Sequence, residues 1–373
     1  MKLNSNQTLK VFLSIVLVSI LCCCIMLCIY TEVPFNDRGC IVLGGIVLPF
    51  LMLMGLVLDS SNSMYKKLKN HITNLEKVQK AYERFFPKQF MYYMDKNDIT
   101  DLKRKDYKSN AMGVMVTSIC SYYTFSRDMT DEERFEFIDE YINNIGPVIY
   151  KKGGFISKFT GCGAMVLFPQ KDKTDNILDT ALSIQKNIRA ENDDRIKLGE
   201  KPYQIGVGIH VSDSVLLGIV GFKSKAANVD RLELAILDEQ VVLTESIQNA
   251  SQLLGASVLA TESIIKNLEH PENYKYRYLG LALFESIQQK IEIYDVYQED
   301  DEELRKAKES TKKQFEEAVL LYQKQEFKKA KNIFIEIVSN NDRDLAAKMY
   351  YFLCDEYSYM DKLPQNWDKQ INL

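Results

Sequence analysis

Hydrophobic positions change their period several times along the chain, and each change marks an element. Val11 to Tyr30 is an unbroken run of twenty uncharged residues, and Ile41 to Leu58 is a second of eighteen. Each is long enough to cross a hydrocarbon core, so the pattern predicts two transmembrane helices over residues 1–60. The loop between them carries Glu32, Asp37 and Arg38, whereas Lys2, Lys10, Lys66, Lys67 and Lys69 flank the outer sides. That bias predicts a two-pass membrane protein with both termini in the cytoplasm. In the next segment, 61–88, Leu68, Ile72, Leu75, Val78, Tyr82 and Phe85 recur at spacings of three and four. This is a helix with an apolar seam, suited to a parallel dimer or to leaning on the domain that follows.

From residue 89 to 298 helical and strand periods mix. Thr130-Asp131-Glu132-Glu133 is a capping box, and Phe137, Ile138, Tyr141, Ile142 and Ile145 follow it on one helical face. Thr174 opens another amphipathic helix, with Ile177, Leu178, Ala181, Ile184 and Ile188. Strand-rich runs lie at Ala111 to Ile119, Phe155 to Phe168, Tyr203 to Val211, Val215 to Val220, Ser257 to Ala260, Tyr274 to Phe284 and Ile291 to Tyr297. The alternation is not a strict βαβα rhythm, which predicts an α+β domain with helices packed on a mixed sheet.

After the acidic break Glu299 to Glu303, the segment 304–373 turns helical. Phe315, Ala318, Leu321, Tyr322, Phe327, Ala330, Phe334 and Ile337 fit one tetratricopeptide-like helix pair, and Asp344 to Tyr357 fits a further helix. A single repeat of this kind cannot bury its own face, so it must cap the preceding domain or meet a protein partner.

Motifs narrow the reading of the central domain. The stretch Gly153 to Phe168, GGFISKFTGCGAMVLF, resembles the metal-binding hairpin of class III adenylate and guanylate cyclases, GG-F-(I/V)-x-K-x-x-G-D. Tyr82 to Phe90 with Ile99 to Leu102 resembles the opening segment of bacterial cyclase domains, and Ile205 to Val211 with Gly218 to Gly221 resembles the family's GIGIHTG…G-x-(I/V)-G strand pair. The resemblance covers roughly residues 82 to 298 and implies a ferredoxin-like class III cyclase domain.

The same resemblance implies that most of the active site has been replaced. Cys162 stands where the hairpin Asp would hold Mg²⁺, and Ser118 stands at the other metal Asp, within Met115 to Tyr122. Mg²⁺ takes hard oxygen ligands, usually with one or two carboxylates. Along Asp238 to Ser246, Val242 takes the place of the Asn that orients the nucleotide and Ser246 that of the transition-state Arg. In Phe284 to Ile287, Glu285 takes the place of the phosphate-binding Lys. Lys158 matches the purine-reading Lys, while its usual companion falls at Ala235. No cofactor is expected, and Mg²⁺ or Mn²⁺ only if the domain is active. The implied function is a catalytically silent regulatory or dimerisation module in cyclic-nucleotide signalling, as a homodimer or paired with an intact cyclase. The alternative is an adenylate cyclase that forms cyclic AMP and diphosphate through a heterodimeric or non-standard site.

Each remaining residue also has a plain structural reading. Cys162 lacks His or Cys neighbours at metal spacing and reads as a small packed residue; His210 and Tyr122-Tyr123 read as packing, and Lys158 as a solvated lysine. Four of the eight cysteines lie within the first apolar run, so no disulfide framework is implied. A net charge of −4 argues against a nucleic-acid surface.

Overall fold

The computed structural model describes residues 48–169, 174–364 and 367–373, with six helical positions between 18 and 29. The chain divides into two units, Met1–Phe86 and Pro87–Leu373.

The described part of the first unit is dominated by one continuous helix, α1, Leu48–Glu83. Its apolar stretch ends at Leu58, where Asp59 and then Lys66, Lys67 and Lys69 follow. Leu48 to Leu58 therefore spans only about 16 Å at 1.5 Å per residue, roughly half of a ~30 Å hydrocarbon core. Among the described residues no helix is long and apolar enough to cross a membrane. The expected two-pass membrane arrangement with both termini in the cytoplasm is thereby corrected. Most of the first apolar run, Val11 to Tyr30, and the first residues of the second lie outside the described residues.

The second unit is built on a mixed sheet with helices packed on it. Its strands are β1 (Tyr107–Ile119), β2 (Phe155–Phe159), β3 (Gly163–Phe168), β4 (Ile205–Ser224), β5 (Val229–Ile236), β6 (Val258–Thr261), β7 (Tyr276–Phe284), β8 (Gln289–Val296) and β9 (Gln370–Asn372). They lie in the order β2-β3-β1-β4-β6-β8-β7-β9, with β5 paired to the outer half of β4. The β4–β6 and β7–β9 pairs are parallel and the other pairs antiparallel.

Among the described residues six longer helices belong to the sheet or to its cover: α2 (Asp131–Lys151), α3 (Thr174–Lys197), α4 (Glu239–Leu254), α5 (Glu302–Gln323), α6 (Phe327–Asn340) and α7 (Leu345–Ser358). The capping box at Thr130 forms as expected, Glu133 N donating to Thr130 Oγ1 at 3.2 Å and Thr130 N to the Glu133 carboxylate at 2.7 Å. Alternation along β6 shows the two faces: Val258 and Ala260 join the core under α2 and α3, while Leu259 joins the core under α4 to α7.

Two glycines of the Ile205 to Val211 motif have a steric cause. A Cβ on Gly208 would lie 2.6 Å from Gln248 N and 2.8 Å from Thr244 O, both backbone atoms of α4, and one on Gly206 would lie 2.4 Å from Ser251 Oγ. The absence of side chains at Gly206 and Gly208 lets the helix rest on the strand. Gly208→Ala is expected to destabilise the unit by about 1–3 kcal/mol, the usual range for overpacking. A urea midpoint unchanged from the parent would refute this account of the motif.

The C-terminal helices complete the sheet's second face. Phe315, Ala318, Phe334 and Tyr350 share a core with Leu254, Leu279 and Phe284, and β9 extends the sheet beyond β7. A buried charge cluster crosses the same boundary. Arg277 donates to Asp295 at 3.0 Å and to both oxygens of Asp344 at 2.6 and 2.9 Å, and Lys308 reaches Asp300 at 2.7 Å and Asp295 at 2.9 Å. The Phe315 ring lies 4.2 Å from the Arg277 guanidinium carbon.

Candidate functional site

Strand pairing brings the two expected metal positions together. β1 and β3 run antiparallel with Ser118 opposite Gly163, and Ile119 N donates to Cys162 O at 3.0 Å. The turn between β2 and β3 is tight: Thr160 N bonds Gly163 O at 2.9 Å, and Gly161 takes φ +67°, a conformation that suits glycine. Ser118 Oγ consequently lies 3.2 Å from Cys162 Sγ, with both residues half-buried.

This donor set does not fit the family's metal. A neutral hydroxyl and a thiol offer neither negative charge nor two hard anionic oxygens. Cys162 also packs against the core that contains Phe137 and Tyr141. Burial pushes the neighbouring Cys120 thiol up to about 12, with Cys162 adding to the shift, so it is held protonated. Tyr141 donates to or accepts from Thr117 at 2.8 Å beneath the pair, and burial raises its pKa above the ordinary phenol value. Among the described residues no group of three or more His, Cys, Asp or Glu side chains could hold a metal ion.

A second contact involves Ser246, at the position matched to the transition-state Arg. Ser246, on α4, lies 2.8 Å from Ser286 in the β7–β8 turn, side-chain oxygen to side-chain oxygen. Glu285, beside it, is exposed, and its backbone N bonds Leu373 O at 3.2 Å. Val242 lies one turn earlier on α4 and is 42% exposed, so an apolar side chain faces solvent where a polar one is expected. Lys158 is exposed at the irregularity in β2, and Ala235 sits half-buried on β5 opposite Gly218.

β1 and β8 run the same way and β7 runs against them, so the end of β1 and the β7–β8 turn lie at opposite ends of the strands. α4 bridges the two: its Thr244 and Gln248 backbone rests on Gly208, which pairs with Val116 two residues before Ser118, while Ser246 reaches the β7–β8 turn.

Sequence reasoning missed the open cleft of about 820 Å³ between the middle of β4 and the start of α4, lined in part by Ser109, His210, Ser212, Asp213, Asp238 and Gln240. Asp238 was legible only as part of the matched helix run. In the fold it caps α4, accepting from Gln240 N at 2.8 Å, and also accepts from Leu216 N at 3.1 Å. His210 is buried, with Nδ1 3.0 Å from Thr261 Oγ1 and 3.3 Å from Ser263 Oγ. Burial lowers its pKa to about 4, against a raising effect from Gln240 and Asp238, so the ring is neutral at pH 7. The lining contains Asp213, Asp238 and Glu239 but no Lys or Arg, which disfavours a phosphate there.

Comparison with known proteins places this geometry. The chain is 28% identical over 248 residues to an adenylate cyclase of Anabaena cylindrica, which takes in 65% of this chain and 48% of that protein. It is 19% identical over 290 residues to the terminal-differentiation-specific adenylate cyclase of Dictyostelium discoideum, covering 76% of this chain and 13% of that protein. The chain thus spans about half, or much less, of these relatives. A solved bacterial light-regulated adenylyl cyclase matches with a TM-score of 0.52 at 17% identity, covering 63% of this chain and 65% of that chain. At that identity the likeness is one of fold. No family model matches the chain.

Proposed function

We propose that this chain, whose relatives are adenylate cyclases and whose fold is that of a class III cyclase domain, is a catalytically silent member of the adenylate and guanylate cyclase family that acts by association. The observation that carries the proposal is the Ser118–Cys162 contact: the two side chains at the metal positions meet each other and supply no carboxylate. Ser246 supports it, because a hydroxyl engaged with Ser286 stands where a guanidinium would stabilise developing charge.

Magnitudes favour silence. Loss of one preorganised group at a transition state costs about 10²–10³ in rate. Groups that act as a unit are lost together rather than additively, and here the metal carboxylates, the Asn, the Arg and the phosphate Lys positions are all changed. A two-metal mechanism retains no ligand among these residues. The resemblance implies a site shared between two chains. A second copy would therefore supply only the same substitutions. An intact cyclase as partner would supply half of a working site, and regulation of that partner is the role proposed for this chain.

The full chain incubated with ATP or GTP and Mg²⁺ or Mn²⁺ is expected to form no cyclic nucleotide. Turnover above a heat-inactivated sample, lost again in a Cys162→Ala variant, would overturn the proposal in favour of an adenylate cyclase with a non-standard site.

A further inference from the structure

Two half-buried thiols, Cys120 at the end of β1 and Cys162 in the β2–β3 turn, are separated in sequence by the whole of α2 and come together in the fold. Pairing runs one residue past the strand, Cys120 N donating to Gln204 O at 2.7 Å, so Cys120 keeps the alternation of β1 and projects to the same side as Ser118. Cys162 leans to that side too, since its Sγ lies 3.2 Å from Ser118 Oγ. The hydrogen bond from Ile119 N to Cys162 O at 3.0 Å sets the spacing. Opposed Cα atoms in such a pair are about 5.5 Å apart, and one further residue along the strand adds about 3.4 Å at right angles, which puts the Cα atoms of Cys120 and Cys162 about 6.5 Å apart. Disulfides span Cα separations of about 4.4–6.8 Å. The thiols also sense each other: Cys162 adds to the rise of the Cys120 pKa, and both add to that of Tyr141.

We infer that Cys120 and Cys162 are a modification site of this chain, a dithiol that hydrogen peroxide converts to a disulfide pinning the end of β1 to the β2–β3 turn. The inference stands on the placement of the two residues, whether or not the unit turns over nucleotide. Burial holds the Cys120 thiol protonated and makes it the poorer nucleophile. Cys162, next to exposed Gly161 in the turn, is the first to react. Its thiolate attacks one peroxide oxygen, the O–O bond breaks, and the departing hydroxide takes up a proton as water, leaving a sulfenic acid. The Cys120 sulfur then attacks the Cys162 sulfur, the S–OH bond breaks, and the Cys120 proton leaves with the hydroxyl as a second water. Two thiols and one peroxide thus give one disulfide and two waters, and an external dithiol reverses the change.

In the test the full chain is treated with hydrogen peroxide, its remaining thiols are alkylated, and it is digested with trypsin without reduction. Cleavage after Lys and Arg leaves Cys120 in the peptide Ser109–Arg127 and Cys162 in Phe159–Lys171, each with a single cysteine, so the pairing is read directly by mass. The two peptides are expected joined, several-fold above the untreated chain, in the single-chain band of a nonreducing gel, and separated again by dithiothreitol. Cys120→Ser is expected to abolish the joined species and to leave Cys162 as a sulfenic acid that a 1,3-dione traps. Recovery of both peptides singly with alkylated thiols overturns the inference, as does pairing of either residue with any other cysteine of the chain. So does a join confined to a two-chain band, which would mean that the thiols meet between copies. A yield unchanged in urea would mean random pairing rather than a built site, and also counts against it.

Discussion

Asp344→Ala is expected to lower the unfolding free energy of the second unit by about 3–5 kcal/mol, the cost of leaving a buried charge without its partner. Asp344 is the double acceptor for Arg277, and both side chains are at most 1% exposed. Removing it leaves the guanidinium with Asp295, whose second oxygen already has no hydrogen-bond partner. It also removes the cap of α7, because Asp344 accepts from Ala347 N at 3.1 Å. A melting-temperature fall on the order of 10 °C by calorimetry follows from that magnitude. Asp368→Ala, which breaks only the exposed pair with Lys290, is expected to leave stability nearly unchanged. Equal effects from the two substitutions would mean that the buried cluster does not hold the C-terminal helices to the sheet.

The pH dependence of that cluster has a defined sign. Burial alone would raise the Asp344 pKa, but Arg277 more than offsets it and holds the carboxyl below its ordinary value. A depressed carboxylate contributes stability above its unfolded pKa of about 3.9 and loses it as pH falls through the folded value. Burial likewise disfavours charged Arg277, and Asp344 with Asp295 reverse it; Lys308 is held charged against burial by Asp295 and Asp300. Their contribution is present below the unfolded lysine pKa of about 10.4 and is lost only on raising pH beyond it. The Arg277–Asp344 pair is therefore at full strength across neutral pH, whereas burial raises the Asp300 carboxyl and works against its pairing with Lys308.

This boundary was the least legible part of the fold. The apolar spacing of Phe315, Ala318 and Phe334 announced helices, and their number and rough limits agree with α5 to α7. Nothing local in Lys308, Arg277 or Asp344 distinguishes them from solvated charges, since each finds its partners 18 or more residues away or on another element. The β4–β5 ribbon shows a related limit. Tyr203 to Val211 and Val215 to Val220 read as two strands, but a single strand, β4, runs through both, and β5 was not anticipated, because its exposed alternation of Asp230, Arg231 and Glu233 carries no apolar face signal. By contrast, the GG hairpin and the GVGIH strand were legible because glycines there answer to backbone contacts that few sequences satisfy, as Gly208 against α4 shows.

Ser118→Asp combined with Cys162→Asp is expected to create Mn²⁺ binding that the parent lacks. The register of β1 and β3 already fixes the two side chains 3.2 Å apart, so two carboxylates would face each other across the hairpin. Like charges at that distance oppose joint ionisation, and the pair without metal should be less stable than the parent. A divalent cation relieves that repulsion with hard oxygen ligands. With only two anionic ligands, a dissociation constant on the order of 10⁻⁴ M is expected, in the range of weak oxygen-ligand sites. At a hundredfold excess over that constant, binding stabilises the folded unit by about 2.7 kcal/mol, which a thermal melt with and without Mn²⁺ resolves. Cyclase activity should stay at background, because Val242, Ser246 and Glu285 are unchanged. Glu285 would in addition repel a nucleotide's phosphates in any site shared between two copies. Calorimetric titration separates the outcomes. Mn²⁺ affinity without turnover supports a domain that kept the cyclase scaffold and lost its chemistry at several positions. No gain in affinity over the parent would mean that Ser118 and Cys162 do not occupy the metal positions of the fold.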